Sequence, residues 1–92
     1  MKLAASLSPN PLTSEATLTF RTSQVGLVKV FVYDLQGRRV RVLEPGTHLG
    51  AGYHDFPLDA RNEHGERLPS GVYFFRVEAA EGTETGRFVI AK

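Results

Sequence analysis

Three histidines, a loose group of carboxylates and five serines are the side chains in this 92-residue sequence with the types to do chemistry. His48 and His54 flank the glycine-rich stretch Leu49-Gly50-Ala51-Gly52, and His64 sits in the longest stretch without strand pattern. A tetrahedral metal site would need all three to converge, and no i, i+2 or i, i+4 pair prepares one. His54 reads instead as a half-buried strand residue bonded to backbone, with His48 and His64 solvated. Asp55, Asp59, Glu63 and Glu66 gather around the same long stretch. Two carboxylates could hydrolyse a glycosidic bond, but only in a cleft deeper than a chain of this size offers. Asp59, Asn62 and Glu63 supply oxygens suited to calcium, yet the spacing is not that of an EF-hand and Arg61 and Arg67 stand among them. Ser6, Ser8, Ser14, Ser23 and Ser70 lack the context of a nucleophile elbow. With no cysteine, a disulfide scaffold, a zinc knuckle and a thiol nucleophile are excluded together. The sequence therefore predicts no enzyme, no metal and no cofactor.

The elements that must carry these residues are strands. Nine glycines and five prolines punctuate the chain, and no window repeats apolar residues with a helical period. Period-two alternation recurs over 15–21 (Ala16, Leu18, Phe20 inward), 27–35 (Val28, Val30, Val32), 38–44 (Val40, Val42), 52–59 (His54, Phe56, Leu58), 71–79 (Tyr73, Phe75, Val77) and 83–91 (Phe88, Ile90). A short strand over 3–8 makes seven. The third is apolar on much of both faces and reads as central. Asp34-Leu35-Gln36-Gly37 and Glu81-Gly82 read as hairpin turns, Glu44-Pro45-Gly46 as the start of a loop, and 61–70 as the longest connection. Seven short strands at this spacing predict an all-β, antiparallel immunoglobulin-like sandwich of Greek-key type, without a disulfide, in which Tyr73 is placed to form a tyrosine corner. If the third and sixth strands are neighbours, Phe31, Tyr33, Val72 and Phe74 share an outer face.

The bulk numbers bound the function. The net charge is +1, from 11 basic and 10 acidic residues, so no electrostatic case exists for nucleic acid or an anionic membrane. No apolar run approaches the ~20 residues of a spanning helix, and no membrane insertion is expected. Residues 1–5 read as a linker or the remnant of a fragment cut from a longer protein, and 6–92 as one domain.

Several stretches are more specific in combination than singly: Ser8-Pro9-Asn10-Pro11-Leu12, then Tyr33-Asp34-Leu35-Gln36-Gly37-Arg38, then Gly52-Tyr53-His54, then Leu68-Pro69-Ser70-Gly71-Val72-Tyr73, and finally Gly86-Arg87-Phe88-Val89-Ile90-Ala91-Lys92. Their order and spacing resemble the C-terminal sorting domain of the type IX (Por) secretion system, which is related to the immunoglobulin-like domain of the flagellar hook-capping protein. In both, tryptophan often follows the Gly-x-His strand; Leu58 stands there in this chain.

The resemblance implies a domain that catalyses nothing. It implies a place at the end of secreted cargo in Bacteroidota-type bacteria, export through the periplasm, and recognition by an outer-membrane translocon. A sortase-like protease would then remove the domain, with the cargo released or attached at the cell surface. The implied partners are the translocon, that protease and the N-terminal cargo, with the domain itself a monomer. Pro9, Asn10, Pro11, Tyr33, Asp34, Gly37, Arg38, Gly71, Val72 and Tyr73 are then structural: the prolines guard an edge, Asn10 bonds local backbone, Asp34 accepts N–H groups in its turn. Arg76, Gly86, Arg87, Phe88, Val89, Ile90 and Lys92 are the candidates for recognition, with the last strand's edge open for strand addition. Two alternatives stay open: an accessory spacer or a carbohydrate- or protein-binding module of a surface enzyme, and a hook-capping-type assembly domain.

Overall fold

A computed structural model describes residues 3–92. Seven strands are present: β1 (Ala4–Ser8), β2 (Glu15–Thr22), β3 (Gly26–Tyr33), β4 (Arg39–Leu49), β5 (Gly52–Asp59), β6 (Gly71–Ala79) and β7 (Gly82–Ile90). They form a three-stranded sheet, β1-β2-β5, and a four-stranded sheet, β4-β3-β6-β7, with every strand pair antiparallel. The architecture is an immunoglobulin-like β-sandwich. The alternating residues named above face one another across it: Leu18, Phe20, Val28, Val30, Val32, Tyr73, Phe75, Val77, Phe88 and Ile90 all belong to one buried cluster. Leu58, in the place where the families this chain resembles often carry tryptophan, is also buried there.

The first strand begins inside the segment expected to be a linker. Leu3 is only 7 % exposed and Ala4 and Ala5 pair with Arg21 and Phe20, because a leucine on this edge covers core that would otherwise meet water. Met1 and Lys2 lie outside the described residues.

A second difference concerns β4, which does not end at Glu44. It runs through Pro45 and Gly46 to Leu49. Its register against β3 shifts three times, with Val28 opposite Thr47 and Val30 opposite Glu44, so that two residues of β4 face Lys29 alone. Such bulges absorb the proline, which has no N–H for a regular ladder, and the glycine at φ 154°. They also twist an edge strand away from flat, self-pairing geometry.

The ends of the sandwich are latched. At one end, the Ser23 N–H and hydroxyl both donate to Glu81 Oε2 at 2.6 Å, joining the β2–β3 turn to the β6–β7 hairpin. These bonds to the ionised form hold the Glu81 carboxyl below its ordinary value against a smaller burial effect. Gly26 lets this turn approach the hairpin, since a Cβ there would stand 2.8 Å from the Ala80 Cβ.

In the middle of β7, Gly86 faces inward opposite Phe75, whose ring lies across it: a Cβ at 86 would meet ring carbons at 2.2 and 2.4 Å. Glycine inside a strand marks a close approach, and here the aromatic ring covers the backbone that glycine exposes. Gly86→Ala should cost ~1–3 kcal/mol by overpacking. Part of that loss should return when Phe75→Leu is added, a coupling that a double-mutant cycle of chemical denaturation would read.

Candidate functional site

Apart from Gly52-Tyr53-His54, which pairs with Thr22, Arg21 and Phe20 at the far end of β2, the motif stretches, scattered in sequence, come together at one pole. The β3–β4 turn lies there, as do the 61–70 connection and the end of β7, because Tyr33 pairs with Phe74 on β6 and Gly71 pairs with Ile90 on β7.

Asp34 organises the turn. Its Oδ1 accepts the N–H groups of Gln36 at 3.0 Å and Arg38 at 2.9 Å, and its Oδ2 accepts Nε–H of Arg38 at 2.8 Å. Gly37, at φ 84°, donates its N–H to the Asp34 carbonyl at 3.0 Å. That left-handed position favours glycine. Burial pushes the Asp34 carboxyl upward, but the Arg38 backbone and side chain and the Gln36 N–H outweigh it, and the net shift is downward from 3.8. Arg38 keeps its side chain 77 % exposed while making this ion pair.

Tyr73 sits at the start of β6 with its ring buried against Phe88 at 6.0 Å and its hydroxyl donating to the Pro69 carbonyl at 2.7 Å. This is the tyrosine corner anticipated from the sequence. Burial, with a smaller contribution from the Asp34 charge, raises the phenol above its ordinary value and keeps it a donor. Between the Asp34 turn and the Leu68-Pro69-Ser70 segment lies an open cleft of about 420 Å³, lined also by Arg38, Val40 and Val72.

Asn10 acts at long range. Its Oδ1 accepts the Val89 N–H at 3.0 Å, not a neighbouring backbone group as expected. Leu12 then adds two bonds to β7, its N–H to the Val89 carbonyl and its C=O from the Ala91 N–H, both at 2.8 Å, as a short parallel bridge beside Ile90. Leu12 is fully buried. The edge of β7 is therefore covered over Val89 and Ala91, which corrects the expectation that the whole last strand lies open. The prolines on either side of Asn10 are both preceded by cis bonds and bring no N–H of their own. Arg67 Nη2 also donates to the Ala91 carbonyl at 3.0 Å.

The residues proposed for recognition divide by face. Phe88 and Ile90 are 1 % exposed and Gly86 lies under Phe75, so these three build the core. Period-two alternation puts Arg87 and Val89 on the other face, and Arg76 and Lys92 are exposed.

The candidate chemical groups do not assemble. His54 Nε2 lies 2.8 Å from the Gly50 carbonyl and 3.3 Å from Thr22 Oγ1, as a strand residue bonded to backbone, while His48 and His64 are exposed. Asp55 accepts the Thr19 hydroxyl at 2.8 Å on the outer face of the small sheet. Asp59 binds Arg41 Nη1 at 2.6 Å, and Glu63 accepts the Val42 N–H with Arg41 Nε at 3.8 Å. Asn62 Oδ1 caps its own loop by accepting the His64 and Glu66 N–H groups. The oxygens considered for calcium are thus engaged by a guanidinium and by backbone. Among the described residues no three histidine or carboxylate groups converge on a metal-sized site. The role of Arg41, which ties β4 of one sheet to β5 of the other, carries no sequence signal because its partners are 18 and 20 residues away.

The profile of the FlgD Ig-like domain matches residues 5–83. The chain belongs to that family of small all-β immunoglobulin-like domains. Among solved structures, the dimeric latent PorU from Porphyromonas gingivalis contains the same fold, with a TM-score of 0.75 and 22 % identity over 97 % of this chain. The chain spans 9 % of the length of that PorU chain. No curated protein matches the sequence.

Two measurements probe this pole. Asn10→Ala should lower stability by ~0.5–1.5 kcal/mol and raise amide exchange of Val89 far more than that of Val77, a local loosening that hydrogen exchange resolves. Asp34 has its carboxyl pKa depressed by folding, so the stability it contributes is present above its ordinary pKa of 3.8 and is lost as pH falls through the lower folded value. Wild type should therefore exceed Asp34→Asn in stability at neutral pH, and the gap should shrink in strongly acidic solution; denaturation series at several pH values give the comparison.

Proposed function

We propose that this chain is a non-catalytic sorting and anchoring domain of a larger secreted protein, recognised by the translocon of the type IX (Por) secretion system and carried through the periplasm to the outer-membrane surface. The observation that carries the reading is the convergence of Pro9-Asn10-Pro11, Tyr33-Asp34-x-x-Gly37-Arg38 and Ser70-Gly71-Val72-Tyr73 around the end of β7. The segment near the start of the chain and the long connection both bond to the end of the last strand, through Asn10, Leu12 and Arg67, and the hairpin turn lies at the same pole. That strand presents Arg87 and Val89 outward, with Lys92 exposed beyond it. Fold likeness to part of PorU, a protein bearing the Por name, agrees with this assignment. On this reading the partners are the translocon, a sortase-like processing protease and the cargo, and the domain works as a monomer. A second reading, an accessory binding module, draws on Tyr53, which stands 76 % exposed on the small sheet with Arg21 stacked over it.

The test is a fusion of residues 1–92 to the C-terminus of a periplasm-targeted fluorescent protein in a host with a type IX system. Truncating the last strand would remove Phe88 and Ile90 from the core, so the informative variant is Arg87→Glu with Lys92→Glu. Surface or medium fluorescence that disappears in a host lacking the translocon, and drops severalfold in the charge variant, is the expected result. A folded fusion retained in the periplasm of the intact host would overturn the proposal and turn attention to glycan binding at Tyr53.

A further inference from the structure

The outer face of the four-stranded sheet carries a row that crosses all four strands: Arg39 on β4 pairs with Tyr33 on β3, Tyr33 with Phe74 on β6, and Phe74 with Arg87 on β7. Neighbouring strands are ~4.8 Å apart, so the row spans roughly 14 Å. The adjacent row pairs Val42, Phe31, Arg76 and Thr85. Arg39 lies over the Phe31 ring at 5.0 Å, and this guanidinium leaves Phe31 only 8 % exposed while Tyr33 and Phe74 stay half-exposed. No carboxylate stands in either row. The nearest along β6, Glu78, is already paired with Arg76 at 3.1 Å. A shallow depression of about 300 Å³ opens between Tyr33, Asp34, Leu35, Phe74 and Arg76; the Asp34 carboxylate there is already engaged by Arg38 at 2.8 Å, and Leu35 is 63 % exposed at the rim.

Arginine and aromatic residues with few lysines and acids are the composition of the centre of a protein–protein interface, where planar guanidinium forks and rigid rings bind at low entropic cost. A flat face with arginines at both ends of an aromatic row and no carboxylate within it complements a surface of opposite sign. We infer that this face is the docking surface for an acidic segment of the outer-membrane secretion partner, whose carboxylates meet Arg39, Arg76 and Arg87 while an apolar side chain enters the depression beside Phe74. The inference rests on the sorting reading and adds to it the face and the partner's chemistry.

The experiment uses the secreted fusion with a photo-crosslinking amino acid at Phe74 or Thr85 on this face, or at Thr17 or Pro57 on the small sheet. Secretion is scored separately from adduct formation. The expected result is secretion with adducts from 74 and 85 to an acidic peptide of one outer-membrane protein, identified by mass spectrometry. Adducts from 17 and 57 should be absent, and Arg39→Glu, Arg76→Glu and Arg87→Glu together should reduce the yield at least tenfold in a variant that remains folded. Secretion accompanied by adducts from the small sheet, by none from 74 and 85, by glycan or lipid adducts, or by adducts to the cargo would overturn the inference and leave the sorting reading standing. A folded fusion that is neither secreted nor crosslinked would remove both.

Discussion

The bonds between residues 10–12 and 89–91 govern what the rest of this sandwich can be. β7 is an edge strand with one paired neighbour, and its inward residues Phe88 and Ile90 complete the core from the open side. A strand held by one ladder frays from its end, and fraying here would expose two large apolar side chains. Asn10 and Leu12 supply the second side. Three hydrogen bonds and a fully buried leucine attach a segment of the opposite layer to the end of β7. The two sheets are thereby joined through backbone as well as through side-chain packing.

The other open side is closed by charge. β4 and β5 are the edges of different sheets, and Arg41 bridges them by binding Asp59 and the Arg61 carbonyl. Glu63 adds bonds to the β4 backbone through its carboxylate and its own N–H. The pair is half-exposed, so its Coulomb energy is modest in water; the geometry matters more than the energy. Together with the bulges of β4 and the proline in β5, these contacts leave little flat edge for another chain to join. On β7 the uncovered part of the edge follows Thr83, Thr85 and Arg87, where β-branched and charged side chains flank it.

How much of this could be read from sequence follows the range of each interaction. Ala16, Leu18, Phe20, Val28, Val30 and Val32 were legible because alternation is a property of adjacent residues. Asp34 and Tyr73 were legible too, since their partners lie within four residues. The full extent of β4 was hidden because Pro45-Gly46 carries the local signature of a turn, and only the pairing with β3 reveals a bulge. Asn10 and Val89 are 79 residues apart, and no local pattern encodes such a contact. Gly86 gave a usable signal, a glycine inside an otherwise alternating strand, but its reason is the Phe75 ring across the ladder. The acidic group failed as a site because sequence proximity does not say which carboxylate a guanidinium will take.

Alternation also links stability to recognition. On β6, Phe75 points into the core while Phe74 and Arg76 point out; on β7, Phe88 points in while Arg87 and Val89 point out. A slip of one residue in the pairing of these strands would exchange the two sets and bury the arginines. The row from Arg39 to Arg87 therefore exists as a row only when four strands are in register, and register is enforced by Gly86 under Phe75, by the Tyr73 corner and by the Asn10 tie. None of these fixing contacts lies in the row itself. A partner that binds the row reads side chains gathered from all four strands, and so binds the folded domain in preference to the unfolded chain, in which the pair Tyr33 and Arg39 is far in sequence from the pair Phe74 and Arg87 and the four share no fixed surface.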